Sequence, residues 1–435
     1  MERTVFSHTL TIGLMLFALF FGAGNLIFPA MMGQMAGNEY GQANLGFLIT
    51  GVGLPLIGTM AIGFSGVKNL LALTQRVHPL FAYVYTTLLY LTIGPLFAMP
   101  RTGSISYEIG IKPYVGSAYD SIAMAIFTVL FFGVTFLFSV NPVRMVEIVG
   151  KILTPILLVS ISILAIASFT VPVGKPQEPD SSYASEPFFK GFQDGYLTMD
   201  ALAALVFGII VINAIRAKGI QDRKRILSVC LQATLIAATM LALIYTSLTY
   251  MGASSVSTFG ILANGGEVLT SVTGHYFGTF GGFALGVIVL LACLTTSIGL
   301  TTSCSGYFQQ IIPGMSYRSI CMVLCVISAI LANIGLEQLI QFSVPVLSIL
   351  YPLAIVLILL TFLHQLFQGK RAVYMMSLLF TFLVSIVDGL KDTPLHMEQV
   401  NDWFQQYLPL YPVGLGWLLP ACAGAIIGLF QKKGS

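Results

Sequence analysis

Residues 19–33, LFFGAGNLIFPAMMG, are apolar enough to cross a membrane but contain residues that weaken an α-helix. Gly22, Gly24 and Pro29 stand where a spanning helix should be most regular. In hydrocarbon every backbone amide and carbonyl needs a partner, so a broken helix survives only inside protein or beside a wet cavity. The stretch therefore predicts an interrupted first helix with free amides at the start of its second half, or else glycines that only let helices pack closely.

The rest of the chain has the composition of an integral membrane protein. Of its 435 residues, 56% are hydrophobic and only 9% are charged, whereas soluble domains contain about 25% charged residues. Long apolar runs such as YPLAIVLILLTFL (351–363) argue against the short alternating strands of a β-barrel. We therefore expect an all-α integral membrane protein, and its formal net charge of +3 is no signal for a nucleic-acid partner.

Breaks in the apolar pattern predict about 12 transmembrane helices. They are expected at residues 8–36, 44–66, 80–103, 120–140, 145–169, 198–217, 226–250, 281–306, 318–335, 338–363, 372–389 and 411–430. Basic residues concentrate in cytoplasmic loops, and placing both termini in the cytoplasm puts all but five of the 20 Lys and Arg residues inside. The five on the outer side are Arg101, Lys112, Lys175, Lys190 and Lys391.

Polar residues in two other predicted spans are candidates for a site. Thr295 and Thr296 place adjacent hydroxyls in an apolar helix, where they either bond the carbonyls of their own helix or coordinate Na⁺. Asp200 lies near the start of the sixth span and is expected to pair with free amides at a helix start. The same span contains LVFG (205–208), which echoes LFFG (19–22) and predicts a second interrupted helix.

Few charges lie within the predicted spans. Arg101 and Glu108 would share a helix face and are expected either to form an ion pair or to belong to an outer gate. Because little else in the spans would neutralise a charged side chain, an apolar zwitterion fits as a substrate better than lysine or glutamate. The sequence contains no GxSxG, HExxH or P-loop pattern, so we expect neither an enzyme nor an ATP-driven pump.

Three stretches together resemble the bacterial branched-chain amino acid:cation symporter family. They are FFGAGNLIFP (20–29), IGPLFAMPRTGSISYE (93–108) and GYLTMDALAALVFGI (195–209). The resemblance implies a LeuT-like inverted repeat of five plus five helices, with discontinuous helices 1 and 6. It divides the chain into a first repeat at 1–173, an inverted repeat at 191–366 and two additional C-terminal helices at 367–435.

The same resemblance implies a secondary transporter in the bacterial plasma membrane. It would import leucine, isoleucine and valine by symport with a cation, with Na⁺ as the coupling ion and no other cofactor. The alternative is a symporter of the same fold that carries another neutral solute or is driven by H⁺. Membrane lipid would surround the protein, and no obligate protein partner is expected.

The resemblance also implies two sets of site residues. Substrate would be bound by the amides of the first break and by the carbonyls of a sixth-span break near 204–207, namely at Gly22, Ala23, Gly24, Asn25, Ala204, Leu205, Val206, Phe207 and Gly208. The cation would be bound by backbone carbonyls and threonine hydroxyls, namely at Ala18, Phe21, Ala292, Thr295 and Thr296.

Overall fold

The structure, a computed structural model, describes residues 2–140, 154–391, 393–394 and 397–431. Within those ranges the chain is helical and contains no β-strand. Eight helices of the described residues are long and apolar enough to cross a membrane, and shorter apolar helices accompany them. Each expected span contains a described helix, although 145–153 lies outside the described residues. The all-α membrane class is confirmed.

Among the described residues, the part of the chain before residue 171 forms nine α-helices. Their bounds are α1 Glu2–Phe20, α2 Ala23–Ala36, α3 Tyr40–Leu48, α4 Leu54–Ser65, α5 Leu70–Thr74, α6 Pro79–Leu91, α7 Ala98–Gly110, α8 Asp120–Ser139 and α9 Thr154–Thr170. Wider π-turns join α3 to α4 at Ile49–Gly53 and α6 to α7 at Thr92–Leu96. The second π-turn contains Pro95, which has no amide hydrogen to continue the helix.

From residue 181 onward, two short helices are followed by a series of mostly longer ones. Their bounds are α10 Ser181–Ala184, α11 Pro187–Asp194, α12 Asp200–Ala217, α13 Arg223–Phe259, α14 Gly265–Ile311, α15 Tyr317–Ala332, α16 Leu336–Phe362, α17 Arg371–Leu390, α18 Glu398–Tyr407 and α19 Leu418–Phe430. Gly278 interrupts regular helical geometry within α14, with φ of 59° and ψ of −154°.

The helices of the bundle differ in how deeply they are buried. In α12, 67% of the most apolar stretch is buried, against 22% in the stretch that contains α8, so α12 is central and α8 is peripheral. Outward-facing side chains of α8 include Ile122, Ile126 and Leu137, which would contact lipid in a membrane. The helix α2 packs against α13 and α14, α12 packs against α4, and α17 packs against α16 and α19.

Glycines bring α2 and α13 into backbone contact. A Cβ atom on Gly33 would lie 2.0 Å from the carbonyl oxygen of Thr249, and one on Gly252 would lie 1.9 Å from that of Ala30. No side chain fits at either position, so these glycines serve close helix packing. The second half of the first span is thereby fixed against α13.

Candidate functional site

The first predicted span is broken at the predicted place. Only Phe21 and Gly22 separate α1 from α2. The Gly22 amide donates to the Asn25 side chain, Oδ1, at 3.2 Å, whereas in a continuous helix it would bond the Ala18 carbonyl. The break therefore releases the Ala18 carbonyl from that bond, and the first amides of α2 have no acceptor within their own helix.

Space, and not backbone freedom, explains Gly22. Its φ of −123° and ψ of −160° describe an extended backbone, which residues other than glycine also adopt. A Cβ atom there would lie 2.8 Å from Thr296 Oγ1, however, and one on Gly24 would lie 3.0 Å from the Phe28 ring. Both glycines therefore let side chains from other turns approach the start of α2.

The second interruption is real, but its predicted position is wrong. Residues 204–208 lie inside α12, where the run Ala204–Leu205–Val206–Phe207 contains no helix-breaking residue. Gly208 lies in the same helix, and a Cβ on it would lie 2.9 Å from Ile62 of α4, so it serves packing. The chain is instead interrupted at Met199, which has a φ of 64° and follows the 3₁₀ turn Gly195–Thr198.

Three buried side chains connect the starts of α2 and α12, the helices that follow the two interruptions. Asn25 near the start of α2 donates from Nδ2 to the Asp200 carboxylate and to the Tyr245 hydroxyl. The Tyr245 hydroxyl of α13 also donates to Asp200 Oδ2 at 3.0 Å. Asp200 does stand at the start of its helix, but its partners here are these two side chains instead of backbone amides. We call these three residues the break cluster.

The predicted cation ligands come together only in part. Thr296 Oγ1 lies 3.5 Å from the carbonyl oxygen of Phe21, across the first break. Thr295 Oγ1 donates to the Ala292 carbonyl at 2.8 Å, which is the bond within its own helix that the alternative interpretation expects. Unwound backbone carbonyls coordinate Na⁺ in broken-helix transporters, and the Phe21 carbonyl and the Thr296 hydroxyl present neutral oxygen atoms that fit such an ion.

A small cavity lies where the two breaks meet. Its volume is about 30 Å³, which accommodates a few water molecules at most, so side chains must move apart to admit an amino acid. Predicted site residues that line it are Gly22, Gly24, Asn25, Phe207 and Thr296. Other lining residues include Leu19, Phe20, Ile93, Arg101, Asp200, Ala203 and Leu300. On α12, Ala204 and Gly208 pack against α4, while Leu205 and Val206 are buried in the core.

Arg101 is buried in the wall of this cavity, and the first of the two alternatives expected for it, an ion pair with Glu108, is wrong. Glu108 is bonded to Lys112, one turn further along the chain, near the helix end. Arg101 is 2% exposed and donates to the Leu197 carbonyl at 2.6 Å and to Ser343 Oγ at 2.9 Å. Helix contacts in the closed core, and not spacing within α7, therefore determine its partners.

A larger cavity of about 350 Å³, which we call the vestibule, lies on the side of α10 and α11. Its lining includes Phe28, whose ring centroid lies 5.0 Å from the guanidinium carbon of Arg101. Because Arg101 lines the small cavity and Phe28 lines the vestibule, this stacked pair stands between the two spaces. Aromatic faces attract such cations.

A tyrosine and an ion pair border the vestibule. Lys190 lies 2.5 Å from Asp194 in α11, and the Tyr183 hydroxyl donates to the same carboxylate. Burial, followed by the charge of Asp194, raises the pKa of Tyr183 well above its usual value. Its hydroxyl therefore stays protonated and remains a donor near neutral pH.

The site residues that the sequence did not reveal include Tyr245 and Phe28, besides several apolar residues of the cavity wall. Tyr245 is 45 residues from Asp200 and 220 from Asn25, so no local spacing signals their contact. Phe28 is one of many apolar residues in its span, and only the fold brings Arg101 over its ring. A polar residue in the middle of an apolar helix was the single available signal, and it applied to Tyr245 alone.

Two solved structures illustrate this fold. A nucleobase-cation-symport-1 family transporter, Mhp1, in a closed conformation with bromovinylhydantoin bound has a TM-score of 0.61 at 13% identity and covers 97% of this chain and 91% of its own. A structure of MhsT in complex with L-phenylalanine has a TM-score of 0.57 at 16% identity, covering 96% and 97%. At such identities the likeness shows the LeuT-like fold alone.

Sequence relatives are closer. Branched-chain amino acid permease BrnQ of Bacillus subtilis (strain 168) is 54% identical over 99% of this chain and 98% of its own length. BraB, a branched-chain amino acid permease of the same organism, is 46% identical over 97% and 94%. BrnQ of Escherichia coli (strain K12) is 36% identical over 98% and 95%. The model of the branched-chain amino acid transport protein family matches residues 6–435, and the chain therefore belongs to that family.

Proposed function

We propose that this protein imports leucine, isoleucine and valine across the bacterial plasma membrane by symport with a cation, and that the cation is Na⁺. The observation that carries the substrate class is the 54% identity, over almost the whole chain, to a protein named as a branched-chain amino acid permease. Both termini face the cytoplasm in this proposal, which puts the vestibule on the outer side.

The lining of the small cavity supports an aliphatic substrate. Leu19, Phe20, Ile93, Phe207 and Leu300 offer apolar surface there. A branched aliphatic side chain gains roughly 1.5–3 kcal/mol when such surroundings remove it fully from water. A charged side chain would face the same residues without a partner, at a large cost in solvation.

The two breaks support binding of the zwitterionic end. In this proposal the free amides around Gly24 bind the substrate carboxylate, because backbone N–H groups and the positive end of the α2 dipole favour an anion. The ammonium group lies toward the start of α12, where the chain is interrupted beside Asp200. Both helix starts contribute to the wall of one cavity.

The oxygen atoms at the first break support Na⁺ as the driving ion. Thr296 Oγ1 faces the Phe21 carbonyl, and the Ala18 carbonyl is not bonded by the Gly22 amide. Unwound backbone carbonyls coordinate Na⁺ in broken-helix transporters, and a hydroxyl oxygen is a further neutral acceptor. These oxygen atoms belong to the same break as the proposed carboxylate site, so in this proposal ion and substrate stabilise each other's binding.

Proton coupling is the second candidate, and one observation favours it. Asp200 is 3% exposed and bonded to Asn25 and Tyr245, so it is a buried carboxylate beside the proposed substrate site. Buried acidic residues within membrane helices commonly serve as proton carriers. In this alternative mechanism Asp200 takes up a proton from one side of the membrane and releases it to the other side as the helices rearrange.

Competition for uptake tests the substrate class. Purified protein in liposomes, with an inward Na⁺ gradient, is supplied with labelled leucine and an excess of one unlabelled amino acid. We expect isoleucine and valine to abolish uptake of label, and lysine and glutamate to leave it unchanged. Equal inhibition by lysine would contradict the proposed apolar pocket, and an absence of leucine uptake would contradict the substrate class.

A further inference from the structure

The guanidinium of Arg101 carries a buried charge that the fold does not neutralise. Arg101 is 2% exposed, and none of the described carboxylate oxygens lies within 4.0 Å of a nitrogen of its guanidinium. An isolated charge removed from water is very costly, so buried cations normally have an anionic partner. Among the residues that the structure describes, the partners of Arg101 are all neutral: a carbonyl, a hydroxyl and an aromatic ring.

The hydrogen-bonding capacity of the same group is also incompletely used. A guanidinium has five N–H donors, of which one bonds the Leu197 carbonyl and one bonds Ser343. Its Nε is buried and has no partner among the described residues. Unsatisfied buried donors are rare in native proteins and call for an explanation.

The location of Arg101 supplies that explanation. Its side chain lines the small cavity that Gly24 and Asp200 also line. Gly24 and Arg101 approach the same carbonyl: a Cβ on Gly24 would lie 3.5 Å from Leu197 O, and Arg101 Nη1 lies 2.6 Å from it. The proposed amide site and the unpaired guanidinium are therefore neighbours.

We infer that Arg101 is a substrate-binding residue that receives the carboxylate of the transported amino acid, together with the amides at the start of α2. The inference rests on the proposed function, since it requires an amino acid as substrate. Arginine matches a carboxylate in geometry, with two parallel N–H donors for two oxygens. Asp200 lines the same cavity, and its carboxylate oxygens accept hydrogen bonds, as the ammonium group of the zwitterion requires.

Binding would also strengthen the wall toward the vestibule. With its charge neutralised by substrate, Arg101 retains its stacked position on Phe28 at lower cost than when it is unpaired. Specificity follows from the same contact, because a ligand without a carboxylate leaves a cation buried alone.

Leucinamide, which replaces the carboxylate by a neutral amide, isolates the role of Arg101. Inhibition of labelled leucine uptake by leucine and by leucinamide is measured for the wild type, Arg101→Gln, Arg101→Lys and the control Glu108→Gln, which removes a charge from the same helix. We expect Arg101→Gln to weaken leucine by about 10- to 100-fold, the effect of charged hydrogen bonds. Leucinamide should be weakened far less, so that discrimination between the two ligands collapses, while Glu108→Gln keeps it.

A structural role for Arg101 predicts another pattern. Arg101→Gln would then weaken both ligands equally and leave their ratio unchanged, and that result would overturn the inference. If Arg101→Gln does not fold, Arg101→Lys decides: it keeps the charge but loses the paired donors, and wild-type affinity for leucine in this variant would contradict the assignment. A wild type that takes up no leucine would instead contradict the proposed function itself.

Discussion

Gly22→Ala is the substitution that most specifically perturbs the proposed cation site. The added Cβ would lie 2.8 Å from Thr296 Oγ1 and 3.0 Å from its Cγ2, so Thr296 must move. A β-branched side chain has few rotamers available, and the shift takes the hydroxyl away from the Phe21 carbonyl, which it now faces at 3.5 Å. Overpacking of this kind costs about 1–3 kcal/mol.

If that cost falls on the ion-bound state, the Na⁺ concentration for half-maximal leucine uptake rises by about 5- to 150-fold. The assay is initial uptake in liposomes as external Na⁺ replaces choline at constant ionic strength. Gly24→Ala is the matched control, because its Cβ would meet the edge of the Phe28 ring at 3.0 Å. We expect this variant to weaken leucine binding and, when assayed at saturating leucine, to keep the Na⁺ curve of the wild type, because coupling between ion and substrate is reciprocal.

A role in helix packing alone predicts a different result for the two glycines. If both glycines only allow helix packing, both variants lower the thermal stability of the protein in detergent and leave the Na⁺ and leucine dependences as in the wild type. An unchanged Na⁺ curve for a folded Gly22→Ala protein would refute the placement of the ion at Phe21 and Thr296.

Three further predictions concern the two threonines, the break cluster and the orientation in the membrane. Replacing Thr295 and Thr296 together by valine should raise the Na⁺ requirement or abolish coupling, while the unfolding free energy falls by about 0.5–1.5 kcal/mol per lost hydrogen bond; an unchanged Na⁺ dependence would contradict the assignment of these hydroxyls as ligands. Tyr245→Phe removes the hydroxyl from the break cluster and should lower the melting temperature and leucine affinity, and a wild-type affinity would exclude a role for the cluster in shaping the site. Cysteine labels should react with an impermeant reagent from outside at Asn401 and only after permeabilisation at Lys224, and the reverse would overturn the proposed orientation.

Local chemistry made the first break predictable, whereas the second was misplaced. Two glycines with an asparagine within an apolar span mark positions that a regular helix disfavours, and the break lies there. The echo in 205–208 misled because its glycine serves packing against α4. The actual break, at Met199, involves a residue type that carries no turn signal, and a positive φ there is imposed by the surrounding fold.

Contacts between distant helices could not be predicted from composition and spacing alone. The sequence offered Glu108 as the partner of Arg101 because both share a helix face, yet Leu197 and Ser343 lie against the guanidinium in the folded chain. Thr296 was selected for its hydroxyl in an apolar helix, and it does reach the first break. Composition and spacing thus identified candidates, while tertiary packing decided which of them meet.

The most direct test of cation-driven transport is leucine uptake by the wild-type protein in liposomes with Na⁺ and H⁺ gradients imposed separately. Na⁺ symport predicts transient accumulation above the equilibrium level when Na⁺ is higher outside, with no accumulation from an H⁺ gradient in Na⁺-free medium. Accumulation driven by the H⁺ gradient alone would contradict Na⁺ coupling and favour Asp200 as a proton carrier. If leucine only equilibrated across the membrane, independently of both gradients, that result would contradict symport itself.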